Sequence, residues 1–63
     1  MDIVELEVEY VTETDMAVLV DDGDLEVWLP KSTIEAMEPP DPDRGDMVTI
    51  EVHQWIANQE GLI

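Results

Sequence analysis

Carboxylate is the only side-chain chemistry this chain carries in quantity. Asp and Glu supply 17 of 63 residues against two Lys and Arg, for a formal net charge of -15 at pH 7. Glu5, Glu7 and Glu9 alternate with apolar residues in IVELEVEYV, residues 3 to 11, and Asp21, Asp22, Asp24 and Glu26 crowd together in DDGDLE. On an extended strand, alternate residues recur on one face every ~6.6 to 7 Å. That is near the spacing of successive phosphates along a nucleic-acid strand, so the row has the geometry for imitating one, although any solvated strand face would give it too.

The same acids do not read as a metal site. A calcium-binding EF-hand loop needs oxygen ligands at several further positions and a closing Glu at its twelfth, whereas a strand-like run follows DDGD at once. Asp-Gly between strands reads instead as a type I′ hairpin turn, with Gly23 taking the positive φ. His53 is the only histidine and there is no cysteine, so no second ligand stands at a fixed spacing and no metal is expected. Ser32 has no G-x-S-x-G context, and nothing pairs a nucleophile with a matched base. No catalytic residue, no cofactor and no enzyme activity are expected.

A field of this sign repels nucleic acid and anionic lipid and attracts basic protein surfaces. The expected partner is a basic, nucleic-acid-binding protein, with no direct contact to nucleic acid or membrane. Solubility and adaptation to high salt, where repulsion is screened, are the competing explanations of the acidity. Lys31, one of the two cations, reads first as local relief of repulsion, its stem along Trp28 or Trp55 and its ammonium near Glu26 or Glu51. Trp28 falls on the outward side of its strand. It packs under a returning helix or, if left exposed among acids, serves as a hot spot for a partner.

The elements that must hold these residues follow from periodicity. Residues 3 to 11 put Val4, Leu6, Val8 and Tyr10 on one face of a half-buried strand and the glutamates on the other. MAVLV, residues 16 to 20, reads as a strand covered on both faces, and LEVWL, residues 25 to 29, as a third with Leu25, Val27 and Leu29 inward, ended by Pro30. Ser32 and Glu35 stand in capping-box relation, predicting a short helical turn in STIEAM with Ile34 and Met37 inward. EPPDPDRG is a stiff polar connection, and GDMVTIEV is a fourth strand with Val48, Ile50 and Val52 inward. In the tail, Trp55, Ile56 and Gln59 share a helical face, and Gly61 with Leu62 suits a Schellman close.

A chain of 63 residues supports one domain, residues 1–63, because so short a chain has no surface left for a second core. The fold expected is mainly β: a small, strongly bent barrel, SH3-like or OB-like, of four to five strands with a short helical turn and a short C-terminal helix. No apolar run approaches the ~18 residues that span a bilayer, and no charged-then-apolar leader opens the chain. A cytoplasmic protein is expected.

TETDMAVLVDD, EVWLPKSTIE, GDMVTIEV and WIANQEGLI together resemble a group of small bacteriophage and prophage proteins. In that group a strand ends in Trp-Leu/Ile-Pro-Lys-Ser, and a closing Trp-Leu/Ile-Ala segment ends in Gly-Leu-Ile. The likeness spans most of the chain and brings no catalytic signature. It implies phage origin and a role in the host cell, against or beside a host machine. A basic residue expected near Asp15 and Met16 is missing, which makes this chain more acidic than the likeness suggests. The functional expectation is a non-enzymatic acidic protein that inhibits a nucleic-acid-handling host protein as a DNA mimic would. Its candidate contacts are Glu5, Glu7, Glu9, Asp21, Asp22, Asp24, Glu26 and Trp28. The alternative is an accessory assembly module of a phage complex, self-associating or not, whose charge serves solubility.

Overall fold

The computed structural model describes residues 2–63. In chain order it contains β1 (Ile3–Glu13), β2 (Ala17–Asp21), β3 (Glu26–Pro30), a 3₁₀ turn (Lys31–Thr33), β4 (Ile34–Glu38), β5 (Met47–His53) and α1 (Gln54–Gln59). The strands form one antiparallel sheet in the order β3-β2-β1-β5-β4.

β1 shapes the sheet because its two halves have different neighbours. Ile3 to Glu9 pair with β5, while Glu9 to Glu13 pair with β2, across a register shift between Tyr10 and Thr12. Val11 is the extra residue. A bulge bends its strand and breaks the alternation of faces, which is why Tyr10 and Val11 are both buried although adjacent. The chain then crosses from one sheet edge to the other through the 3₁₀ turn alone. A flat five-stranded sheet would hold its edges roughly 19 Å apart, yet the path from Pro30 to Ile34 reaches about 14 Å at full stretch. The sheet must therefore curl. It stays open between β3 and β4, whose outer edges have no strand partner among the described residues.

The core is what alternation supplies to the concave side: Val8, Val18, Val20, Val27, Leu29, Val48, Ile50 and Val52, with Ile56 and Ala57 of α1 capping it. Each fully buried aliphatic of this kind contributes about 1.5–3 kcal/mol. The amide of Leu62 donates to the Ala57 carbonyl at 2.8 Å and that of Gly61 to Asn58 at 3.2 Å, the paired bonds of a Schellman close, with Gly61 at φ +76°. Leu62 thereby returns to the core.

Several expectations are corrected. No capping box forms at Ser32, and STIEAM is not a helical turn. The Thr33 hydroxyl donates to the Pro30 carbonyl at 2.6 Å, closing a single 3₁₀ turn, and β4 begins at once. Ile34 and Met37 do pack on the core, but their three-residue spacing comes from a second bulge, between Ile34 and Ala36, and not from a helix. A bulge shifts the phase of a strand, so a helix-like interval appears within it. The strands thus number five, within the four to five expected. MAVLV is not covered on both faces: Val18 and Val20 are buried, Ala17 and Leu19 half-buried, and Met16 is 78% exposed before the strand starts. Leu25 is exposed because it closes the hairpin instead of entering the core. On α1 the covering face is Ile56 and Ala57, while Trp55 is 48% exposed and Gln59 is exposed. Among the described residues, no helix is long and apolar enough to cross a membrane.

Candidate functional site

Cross-strand register assembles the acids. Glu9 of β1 lies opposite Asp21 of β2, and Asp21 opposite Glu26 of β3, so carboxylates from three strands form one continuous rung. Two residues back along β1, Glu7 faces Thr49, which faces Glu38; two further back, Glu5 faces Glu51 directly. Residues directly opposite share a face, and their Cα atoms stand about 4.5–5.5 Å apart. The row read along β1 is thus one side of a two-dimensional carboxylate lattice on the convex side of the sheet. Glu38 and Glu51 belong to it although the sequence reading omitted them, because only the β4–β5 and β1–β5 registers carry them there. Alternation in GDMVTIEV already turned Glu51 outward; nothing in the sequence announced its neighbour.

Like charges directly opposite are destabilising, and among the described residues the ion pairs lie at Glu13 and Glu35, outside the Glu9–Asp21–Glu26 rung. Lys31 bonds Glu13 at 2.5 Å, away from Glu26 and Glu51. Glu13 also accepts from the Tyr10 hydroxyl at 2.8 Å. The Lys31 ammonium first, and the Tyr10 hydroxyl second, hold the Glu13 carboxyl below its ordinary range. The same bond, with burial of the ring, pushes the Tyr10 hydroxyl up. Lys31 is therefore a brace, joining the 3₁₀ turn to the far end of β1.

The hairpin acids divide in role. The amide of Asp22 donates to the Leu25 carbonyl at 3.2 Å, leaving Gly23 and Asp24 as the two loop residues. Within the loop Gly23 alone has positive φ, at +104°, so the turn is not the expected type I′, which would require Asp24 to share it. The Asp22 carboxylate accepts from the amides of Asp24 at 2.9 Å and Leu25 at 3.0 Å, and these two bonds hold its carboxyl low, while Asp21 accepts from Gly23 at 2.7 Å. Asp22 is thus partly consumed by the turn. Asp24 is exposed at the tip, and Asp21 serves both the turn and the rung. A concavity of about 280 Å³ lies among Glu7, Glu9, Asp21, Asp22, Gly23 and Met47.

Trp28 is opposite Leu19 and 47% exposed, so it does not pack beneath a helix. It sits one step along β3 from Glu26, on the same outward side, and forms an aromatic margin to the acidic rung. His53 flanks the start of α1, and its Nε2 contacts the Glu35 carboxylate at 2.7 Å, tying β5 to β4. Among the described residues, no group of three His, Asp or Glu side chains is disposed to hold a metal ion. The chain matches no family model, no curated protein and no solved structure.

Proposed function

We propose that this chain is a non-enzymatic acidic interaction protein of phage type, acting in the host cytoplasm on a basic surface of a nucleic-acid-handling protein as a DNA mimic does. The observation that carries the reading is the Glu9–Asp21–Glu26 rung with the Glu5–Glu51 pair beside it. Cross-strand like-charge pairs cost stability in the free protein, and a cationic partner would relieve that cost on binding. Trp28 at the margin offers an indole to an arginine or lysine of the same partner. We read the scaffold as SH3-like, a reading supported by three strands in a meander, a 3₁₀ turn and a first strand shared between two halves of one open sheet.

The test compares charge reversals of equal size in two places. Glu9→Lys with Glu26→Lys changes the rung, and Asp41→Lys with Asp43→Lys changes the exposed connection between β4 and β5. Tagged protein is used to capture partners from bacterial lysate at ~0.1 M salt, followed by washes with ~0.5 M salt and, separately, with duplex DNA. A nucleic-acid-binding protein released by both washes, retained by the connection variant and lost by the rung variant, is the expected result. Equal capture by both variants, or capture of nothing except the protein itself, would replace this reading with the assembly module. Exposed Met16, Met47 and Ile3 would then supply the contacts.

A further inference from the structure

A second surface, away from the carboxylate lattice, follows from the seam where the sheet fails to close. A groove of about 290 Å³ runs between β4 and the end of the β1–β2 hairpin, with Val18, Ile34 and Met37 among its lining and the Glu13–Lys31 pair at its rim. Ile34, Glu35, Ala36 and Met37 all line it. Beyond the bulge at Glu35, Ala36 and Met37 are successive strand residues and point to opposite faces, so a groove touching both runs along the strand's edge and not across one face. The other edge of β4 is occupied by β5. The edge of β4 that has no strand partner among the described residues is therefore the one that faces the groove.

We infer that this seam accepts an extended basic segment of a partner protein, which adds to β4 as a further strand and lays an apolar side chain over Val18, Ile34 and Met37. Backbone pairing supplies affinity in such additions, and alternate side-chain pockets supply selectivity. The occupant is identified by charge. Glu35 and Glu38 lie on β4, and the whole molecule carries -15, so a second copy of this chain would bring like charges to the same edge. An alternating lysine and apolar strand is attracted instead. Pro39, directly after β4, limits the added strand to about the length of β4. The seam shares no lining residue with the concavity on the convex acidic face, so a partner can occupy either one without the other.

The experiment titrates the ¹⁵N-labelled protein with a nine-residue peptide alternating lysine and valine. Two controls have the same charge: one N-methylated at alternate backbone nitrogens on the pairing edge, the other interrupted by proline at its centre. The expected result is chemical-shift change and slowed amide exchange in Ile34 to Glu38 and at Val18, with binding weakened at least tenfold in both controls. Shifts confined to Glu5, Glu7, Glu9, Asp21 and Trp28 would overturn the seam while supporting the acidic face. Equal binding of all three peptides would also overturn it, because charge alone would then account for the affinity.

Discussion

Glu13 shows how a residue's role depends on partners that its neighbours in sequence do not supply. It accepts from Tyr10 three positions earlier and from Lys31 eighteen positions later, so one carboxylate ties β1 to the 3₁₀ turn. Its carboxyl is held low, and Asp22 is held low by the Asp24 and Leu25 amides. A depressed folded-state pKa contributes stability above the unfolded value, near 4.3 for Glu (about 3.9 for Asp), and that stability disappears as pH falls through the folded value. Glu13→Gln should thus lower the urea midpoint at pH 7 relative to Asp41→Asn, which removes the same charge from an exposed loop. The gap should narrow as pH falls below the unfolded-state value and on through the lowered folded one. A gap that stays constant from pH 7 to pH 3 would mean that Glu13 contributes packing and not charge. Lys31 was legible as a brace, because a lone cation among acids first relieves repulsion. Its partner was not legible: Glu13 lies on a β1 that runs past residue 11, and only the curl brings its end beside the turn.

At the scale of elements, the two bulges decide which residues share a face. Strict alternation accounts for Val4, Leu6 and Val8, and for Val48, Ile50 and Val52, all of which face the core. It fails at Val11 and Glu35, where the register shifts, and β4 was mistaken for a helical turn because a bulged strand imitates helical spacing. Deleting Val11 should leave Thr12 and Glu13 opposite Leu19 and Val18 but remove the bend that lets one strand serve both β2 and β5. Loss of the dispersed amide spectrum and of cooperative thermal unfolding is expected, whereas deleting Asp41 from the exposed connection should leave both intact. A well-folded Val11 deletion would show that β1 can serve β2 and β5 without its bulge. α1 illustrates the opposite case. Gly61 and Leu62 announced its close in sequence, and the bonds to Asn58 and Ala57 are the ones that motif requires.

For the whole molecule, a charge of -15 on a body of 29 × 22 × 18 Å makes self-repulsion a term that acts against compactness at every contact. A domain of this length has a total stability of only about 3–9 kcal/mol. Screening should be visible. Adding ~0.5 M sodium chloride, which shortens the Debye length to about half its physiological value or less, should raise the melting temperature by several degrees, given ~4–8 °C per kcal/mol for a small domain. The fold should already be formed in low salt, because its core is aliphatic and closed by α1. Folding that begins only in molar salt would instead mark the acidity as halophilic adaptation. A salt-insensitive melting temperature would mean that the carboxylates are too well solvated to repel.

The amino-acid sequence by itself determined the aliphatic core of β1, β5 and the inward side of β3 apart from Leu25, the acidic outer row, the hairpin at Gly23 and the Schellman close. Each of these depends on local φ preference or on a period of two, which neighbouring residues set among themselves. The tertiary structure alone decided that Glu9, Asp21 and Glu26 form one rung, that Glu38 and Glu51 join the same face, and that an unclosed seam opens beside β4. Register between strands far apart in the chain depends on where the bulges fall and how the sheet curls over its core. Those are outcomes of packing the whole chain at once, and no short stretch of sequence contains them.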